Sequence, residues 1–97
     1  MKTLEEIKKL IGQYKQELKE KLKVKEIGIF GSTIRGERSQ TSDIDLLVDF
    51  KNEADLFDLM GLGLFLEEKF NQRVDVVPKR AIREEIKDRV LKEVVYL

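Results

Sequence analysis

Ile27-Gly28-Ile29-Phe30-Gly31-Ser32, followed ten residues later by Asp43-Ile44-Asp45-Leu46-Leu47-Val48, is the stretch that decides how the rest of the chain is read. An apolar strand, Val24 to Phe30, runs into Gly31-Ser32, and a second strand, Asp43 to Phe50, opens on two aspartates. Side chains alternate along a strand, so Asp43 and Asp45 point to one face, about 7 Å apart, while Ile44 points into the core. Two carboxylates on one face at the mouth of a strand repel each other, and a divalent cation is the simplest partner that offsets the repulsion. Glycine can turn tightly out of the first strand, which lets Gly31-Ser32 offer backbone N–H groups to a phosphate. A phosphate cradle beside a carboxylate pair points to metal-assisted chemistry on a nucleotide.

The chain has 97 residues, enough for a single modest core, and is expected to form one domain over residues 1–97. Its 19 basic and 19 acidic residues cancel, which argues against a dedicated nucleic-acid binder. Cysteine and histidine are both absent, so disulfides, thiolate metal sites and imidazole catalysis are excluded. Carboxylates must carry any acid–base or metal work. No apolar run reaches the length of a membrane span and no signal peptide is visible, so the expected compartment is the cytoplasm.

Outward from the central stretch, the elements follow from periodicity. Thr3-Leu4-Glu5-Glu6 fits a capping box, and Leu4, Ile7, Ile11, Tyr14, Leu18 and Leu22 form one helical stripe, predicting a helix over 3–22. Its lysines read as a solvated face rather than a binding patch. Gly31 to Gly36 is predicted as a short helix or turn, and Glu37 to Thr41 as an exposed polar loop. Leu46-Leu47-Val48 is apolar at every position, as in a strand buried on both faces, and Asp49 falls at its far end, in solvent.

A second helix is predicted over Asp55 to Phe70, with Asn71 as a left-handed cap. It is apolar nearly all round, so it either sits centrally in the core or shows part of its surface to a partner chain. Arg73 to Val77 reads as a third strand stopped by Pro78, and Ala81 to about Val94 as a last helix. Val94 to Leu97 is an apolar tail with the character of a short strand. The expected fold is therefore α/β (α+β), a small mixed sheet flanked by helices. Asp75, between Val74 and Val76, is either a solvated acid on an edge strand or an acid paired with something.

The pattern Gly-Ser, ten residues, Asp-x-Asp resembles the signature of the nucleotidyltransferase superfamily typified by DNA polymerase beta. Its four fixed residues would match by chance in roughly one chain in a thousand of this length. The short chain and the run Ser42-Asp43-Ile44-Asp45-Leu46-Leu47-Val48 look more narrowly like the minimal nucleotidyltransferases, the antitoxin halves of HEPN/MNT toxin–antitoxin pairs. One departure stands out: many relatives carry arginine directly after Gly-Ser, where this chain has Thr33, while Arg35-Gly36 keeps its place.

The resemblance implies a palm-like core with Asp75 as a third carboxylate facing Asp43 and Asp45. These three would hold two magnesium ions, and Asp75 could accept the proton of an attacking hydroxyl. Gly31 and Ser32 would hold the triphosphate of ATP. Arg35 is either a guanidinium clamp on that triphosphate or a surface residue. The implied reaction is transfer of AMP to a tyrosine of a partner HEPN-domain ribonuclease toxin, which silences it. A purely binding antitoxin, and a catalytic subunit acting on a small molecule or nucleic acid, are the alternatives. Oligomeric state is left open, a homo-oligomer included.

Overall fold

The computed structural model describes residues 3–36 and 43–97, so the polar loop expected over Glu37 to Thr41 lies outside the described residues. Helix α1 spans Leu4–Lys21. It begins at the expected box: the Thr3 side chain accepts from the Glu6 N–H while the Glu6 carboxylate accepts from the Thr3 N–H. Each bond satisfies an N–H that the helix cannot, which fixes where the helix starts. Strand β1 follows at Val24–Phe30 and leads through Gly31 into the one-turn helix α2, Ser32–Arg35.

Strand β2 is Ile44–Phe50. Helix α3, Leu56–Phe70, is again closed by a capping box, between Asp55 and Asp58, and ends on Asn71 at φ 52°. Asparagine tolerates this left-handed conformation better than most residues, so it can end the helix there. Strand β3 is Val74–Pro78. A 3-10 turn, Lys79–Ala81, separates it from helix α4, Glu84–Glu93, and the two-residue strand β4, Val95–Tyr96, comes last.

The strands form one mixed sheet in the order β3-β2-β1-β4. β1 runs antiparallel to both β2 and β4, and β2 runs parallel to β3 through the α3 crossover. Pro78 lies on the edge strand, where a missing N–H breaks no ladder bond. Ile44, Leu46, Val48 and Phe50 of β2 face the core formed with Ile7, Ile11 and Leu18 of α1 and Leu62, Leu66 and Phe70 of α3. Leu47 faces the other way and packs with Phe30 and Val90 of α4. The unbroken Leu46-Leu47-Val48 run thus serves two cores, one on each side of the sheet, as its composition required.

Two expectations are modified. The last helix begins at Glu84, not Ala81, because Ile82 is extended at ψ 136° and packs against the Phe30–Leu47–Val90 cluster from outside the helix. For α3 both readings describe part of the helix. Leu62, Leu66 and Phe70 are core, whereas Phe57 is 82% and Leu64 67% exposed in the isolated chain. Leu56 and Met60 lie open beside them.

Candidate active site

The sheet's β3-β2-β1 portion ends where β1 finishes and β2 and β3 begin, and there the candidate residues meet. Phe30 is the register partner of Asp45, and Asp45 is the register partner of Asp75. Side chains level on adjacent strands project from the same face, with backbones about 4.8 Å apart. Asp45 shares its face with Leu47, so the carboxylates lie on the α4 side of the sheet. Asp43 precedes β2 by one residue and falls on that face by alternation. Asp75 lies on the edge strand, is exposed, and stands level with Asp45.

Gly31 makes the approach from β1. Its φ of 79° and ψ of −147° belong to a region that only glycine enters without strain. A Cβ there would run into the Asp45 carboxylate, so the position excludes a side chain for two separate reasons. The turn that follows is closed by the Ile34 and Arg35 N–H groups, which both donate to the Gly31 carbonyl at 3.1 Å. In a helix's first turn the N–H groups have no intrahelical acceptor, and Ser32 and Thr33 occupy that position in α2. The Thr33 hydroxyl is buried and has no hydrogen-bond partner among the described residues.

Electrostatics mark Asp45 as the centre of the group. Burial, then the charges of Asp75 and Asp43, push its carboxyl from an ordinary 3.8 up to about 6, against an opposing pull from Arg35. Asp43 reaches toward Arg73 at 3.9 Å, but both side chains are open to water, so this pair contributes little.

One residue at the site was not anticipated from the sequence. Glu93, the last residue of α4, accepts from the Gly31 N–H at 2.7 Å with one carboxylate oxygen and from Arg35 Nη1 at 2.9 Å with the other. Burial alone would raise its pKa, but the bonds from Arg35 and Gly31 and the nearby positive charge outweigh this and hold it below the usual range. The Gly31 amide, expected to face a phosphate, is therefore directed at Glu93. The sequence carries only a weak trace of it: a carboxylate in a helix's last turn is electrostatically unfavourable, which names no partner.

Among the described residues, no group of three or more acidic, histidine or cysteine side chains is arranged to hold a metal ion by itself, Asp43, Asp45 and Asp75 included. Magnesium does not need one, since it takes one or two carboxylates and completes its shell with water and substrate phosphates. The aligned Asp45 and Asp75, with Asp43 beside them, offer oxygen ligands of this kind.

Residues 11–97 match the family described as nucleotidyltransferase domain. The chain is 44% identical to the protein adenylyltransferase MntA of Thermococcus cleftensis, over the whole of this chain and 98% of the relative. A solved chain described as a minimal nucleotidyltransferase superposes with a TM-score of 0.84 at 32% identity, covering 99% of this chain and 97% of that one. A chain from an MntA–HepT toxin–antitoxin complex superposes with a TM-score of 0.68 at 25% identity, covering all of this chain and 72% of that one.

Proposed function

This chain belongs to the nucleotidyltransferase domain family and is a nucleotidyltransferase, and on that premise we propose that it transfers AMP from ATP to a hydroxyl of a partner protein, acting as an antitoxin toward it. The observation that carries the reading is the alignment of Asp45 with Asp75 beside the Gly31–Ser32 turn, with the Asp45 carboxyl pushed up to about 6. A carboxylate group that disfavours its own ionisation is ready to take up positive charge. A purely binding antitoxin has no use for such a group.

Asp43, Asp45 and Asp75 would hold two magnesium ions. When bound, divalent metal supplies charge neutralisation and Lewis-acid polarisation around the reacting phosphate. The Ser32 hydroxyl and the first-turn N–H groups of α2 would cradle the β- and γ-phosphates, and Arg35 would steady them as a cation. Asp75, the most accessible of the three carboxylates, would receive the proton of the attacking hydroxyl. That oxygen then bonds to the α-phosphorus as the bond to the β-phosphate oxygen breaks, and pyrophosphate leaves.

Residues 1–97 act in this reading as one catalytic domain, working in the cytoplasm where ATP is abundant. The acceptor is a tyrosine of a HEPN-domain toxin. Support comes from the relatives: one is a protein adenylyltransferase and another forms part of a toxin–antitoxin complex.

Co-expression with a HEPN-domain partner, followed by intact-mass measurement of that partner, tests the proposal. Wild type should add one or more AMP groups to it, and Asp45→Asn should add none. A complex that forms without any added AMP would sink the catalytic reading and leave the binding one.

A further inference from the structure

We infer that Glu93 is a positioning residue, fixing the Gly31–Arg35 turn in its working shape by holding the Gly31 amide with one carboxylate oxygen and the Arg35 guanidinium with the other. The inference rests on the nucleotide-binding role proposed above for that turn. Three observations carry it.

Glu93 spends both oxygens on this one segment, at 2.7 and 2.9 Å, across 62 and 58 residues of chain. Its side chain is only 11% exposed, so these are shielded, charge-assisted bonds, unlike an ordinary surface pair. Glu93 is itself held from both sides. Val90, one turn earlier, is fully buried against Phe30 and Leu47, and Val95, two residues later, pairs with Ile29.

The consequences for the turn are specific. Gly31 sits at a backbone conformation that glycine enters without strain but does not hold by itself, since glycine ranges freely over φ of both signs. The bond to Glu93 supplies a restraint at the Gly31 amide, at the residue from which α2 starts. Arg35, held by Glu93, stays near enough to Asp45 to act on it electrostatically. The cation is thus stationed between Glu93 of α4 and Asp45.

Two readouts test this, one without nucleotide and one with it. In nucleotide-free protein, Glu93→Ala should speed hydrogen exchange at the Gly31 amide by about tenfold, leaving the Leu46–Val48 amides unchanged. Glu93→Gln keeps an acceptor for Gly31 but loses the charge opposite Arg35, so its Gly31 exchange should lie between the two. It also serves if the alanine variant fails to fold.

In calorimetric titrations with ATP and magnesium, Glu93→Gln should weaken binding by about five- to tenfold. The double variant Arg35→Gln/Glu93→Gln should bind no more weakly than Arg35→Gln alone, since Glu93 acts through Arg35. Unchanged Gly31 exchange in both Glu93 variants, or additive losses in the double variant, would overturn the inference and leave Glu93 a stabilising pair only. If wild type binds no ATP, the functional reading fails, while the exchange measurement still decides whether Glu93 fixes the turn.

Discussion

Asp45 and Gly31 carry the most information per residue, and each yields a prediction. The folded-state pKa of Asp45, about 6, lies above its ordinary 3.8. Its contribution therefore favours folding fully below pH 3.8 and is lost as pH rises through 6. At pH 7.5 in metal-free buffer the ionised group costs about 1–2 kcal/mol, allowing for screening of a half-exposed carboxylate. Asp45→Asn should be more stable than wild type by that amount at pH 7.5, with the gap narrowing as pH falls toward 4. Melts of both proteins across that range check it; a salt-bridge role for Asp45 predicts a less stable variant instead. Magnesium with ATP should reverse the order, because a ligand at a hundredfold excess over Kd stabilises the folded state by about 2.7 kcal/mol and Asp45→Asn would gain much less. Gly31→Ala places a methyl group against the Asp45 carboxylate at positive φ, so it should cost about 1–3 kcal/mol and abolish AMP transfer. The requirement for glycine at 31 and the pairing of Asp43 with Asp45 were legible from order and alternation alone. Glu93 was not, because its partners lie about sixty residues away and no periodicity links a helix end to a distant turn.

Single elements were legible where a local interaction fixes them. The box at Thr3 and the asparagine cap at 71 are closed by residues within a few positions of each other, so the start of α1 and the end of α3 could be read from sequence, while the Asp55–Asp58 box, equally local, was not anticipated. The start of α4 could not. Ile82 keeps the four-residue step to Ile86, but Arg83 at the N-cap makes no side-chain cap bond, and Ile82 reaches the core from an extended backbone instead. Periodicity alone does not separate these two routes to one hydrophobic cluster. Helix α3 separates them by energy. Leu62 is fully buried, so Leu62→Ala should cost about 2–5 kcal/mol. Phe57 is 82% exposed, so Phe57→Ser should change stability by no more than about 0.5 kcal/mol, despite removing a larger apolar group. Denaturant unfolding of the two variants measures the contrast; a large loss at Phe57 in the isolated protein would mean that this face is covered.

At the level of the whole molecule, the C-terminal segment ties the two faces of the sheet to the site. β4 closes the β1 edge through Gly28–Tyr96 and Ile29–Val95 pairing, and the Leu97 N–H donates to the Ile27 carbonyl at 2.9 Å. Immediately before it, α4 delivers Val90 to the second core and Glu93 to Gly31. Gly28 is where this closure is tightest. A Cβ there would stand 2.6 Å from a Val94 methyl, 3.0 Å from the Tyr96 ring and 3.2 Å from the Val95 carbonyl oxygen. Two of these neighbours are a backbone oxygen and a short branched side chain, neither of which can swing aside, so β4 itself must shift. Gly28→Ala should therefore push β4 off β1 and, because Glu93 lies two residues ahead of β4, draw its carboxylate away from Gly31. The expected outcome is a loss of about 1–3 kcal/mol from overpacking, together with faster exchange at the Gly31 amide and weaker binding of ATP with magnesium. Position 28 touches none of the proposed nucleotide ligands, so a purely local effect predicts the stability loss alone. Melting temperature, Gly31 exchange and ATP affinity measured on the same variant decide the matter: stability lost with both other readouts unchanged would mean that the C-terminal segment closes the sheet without governing the site.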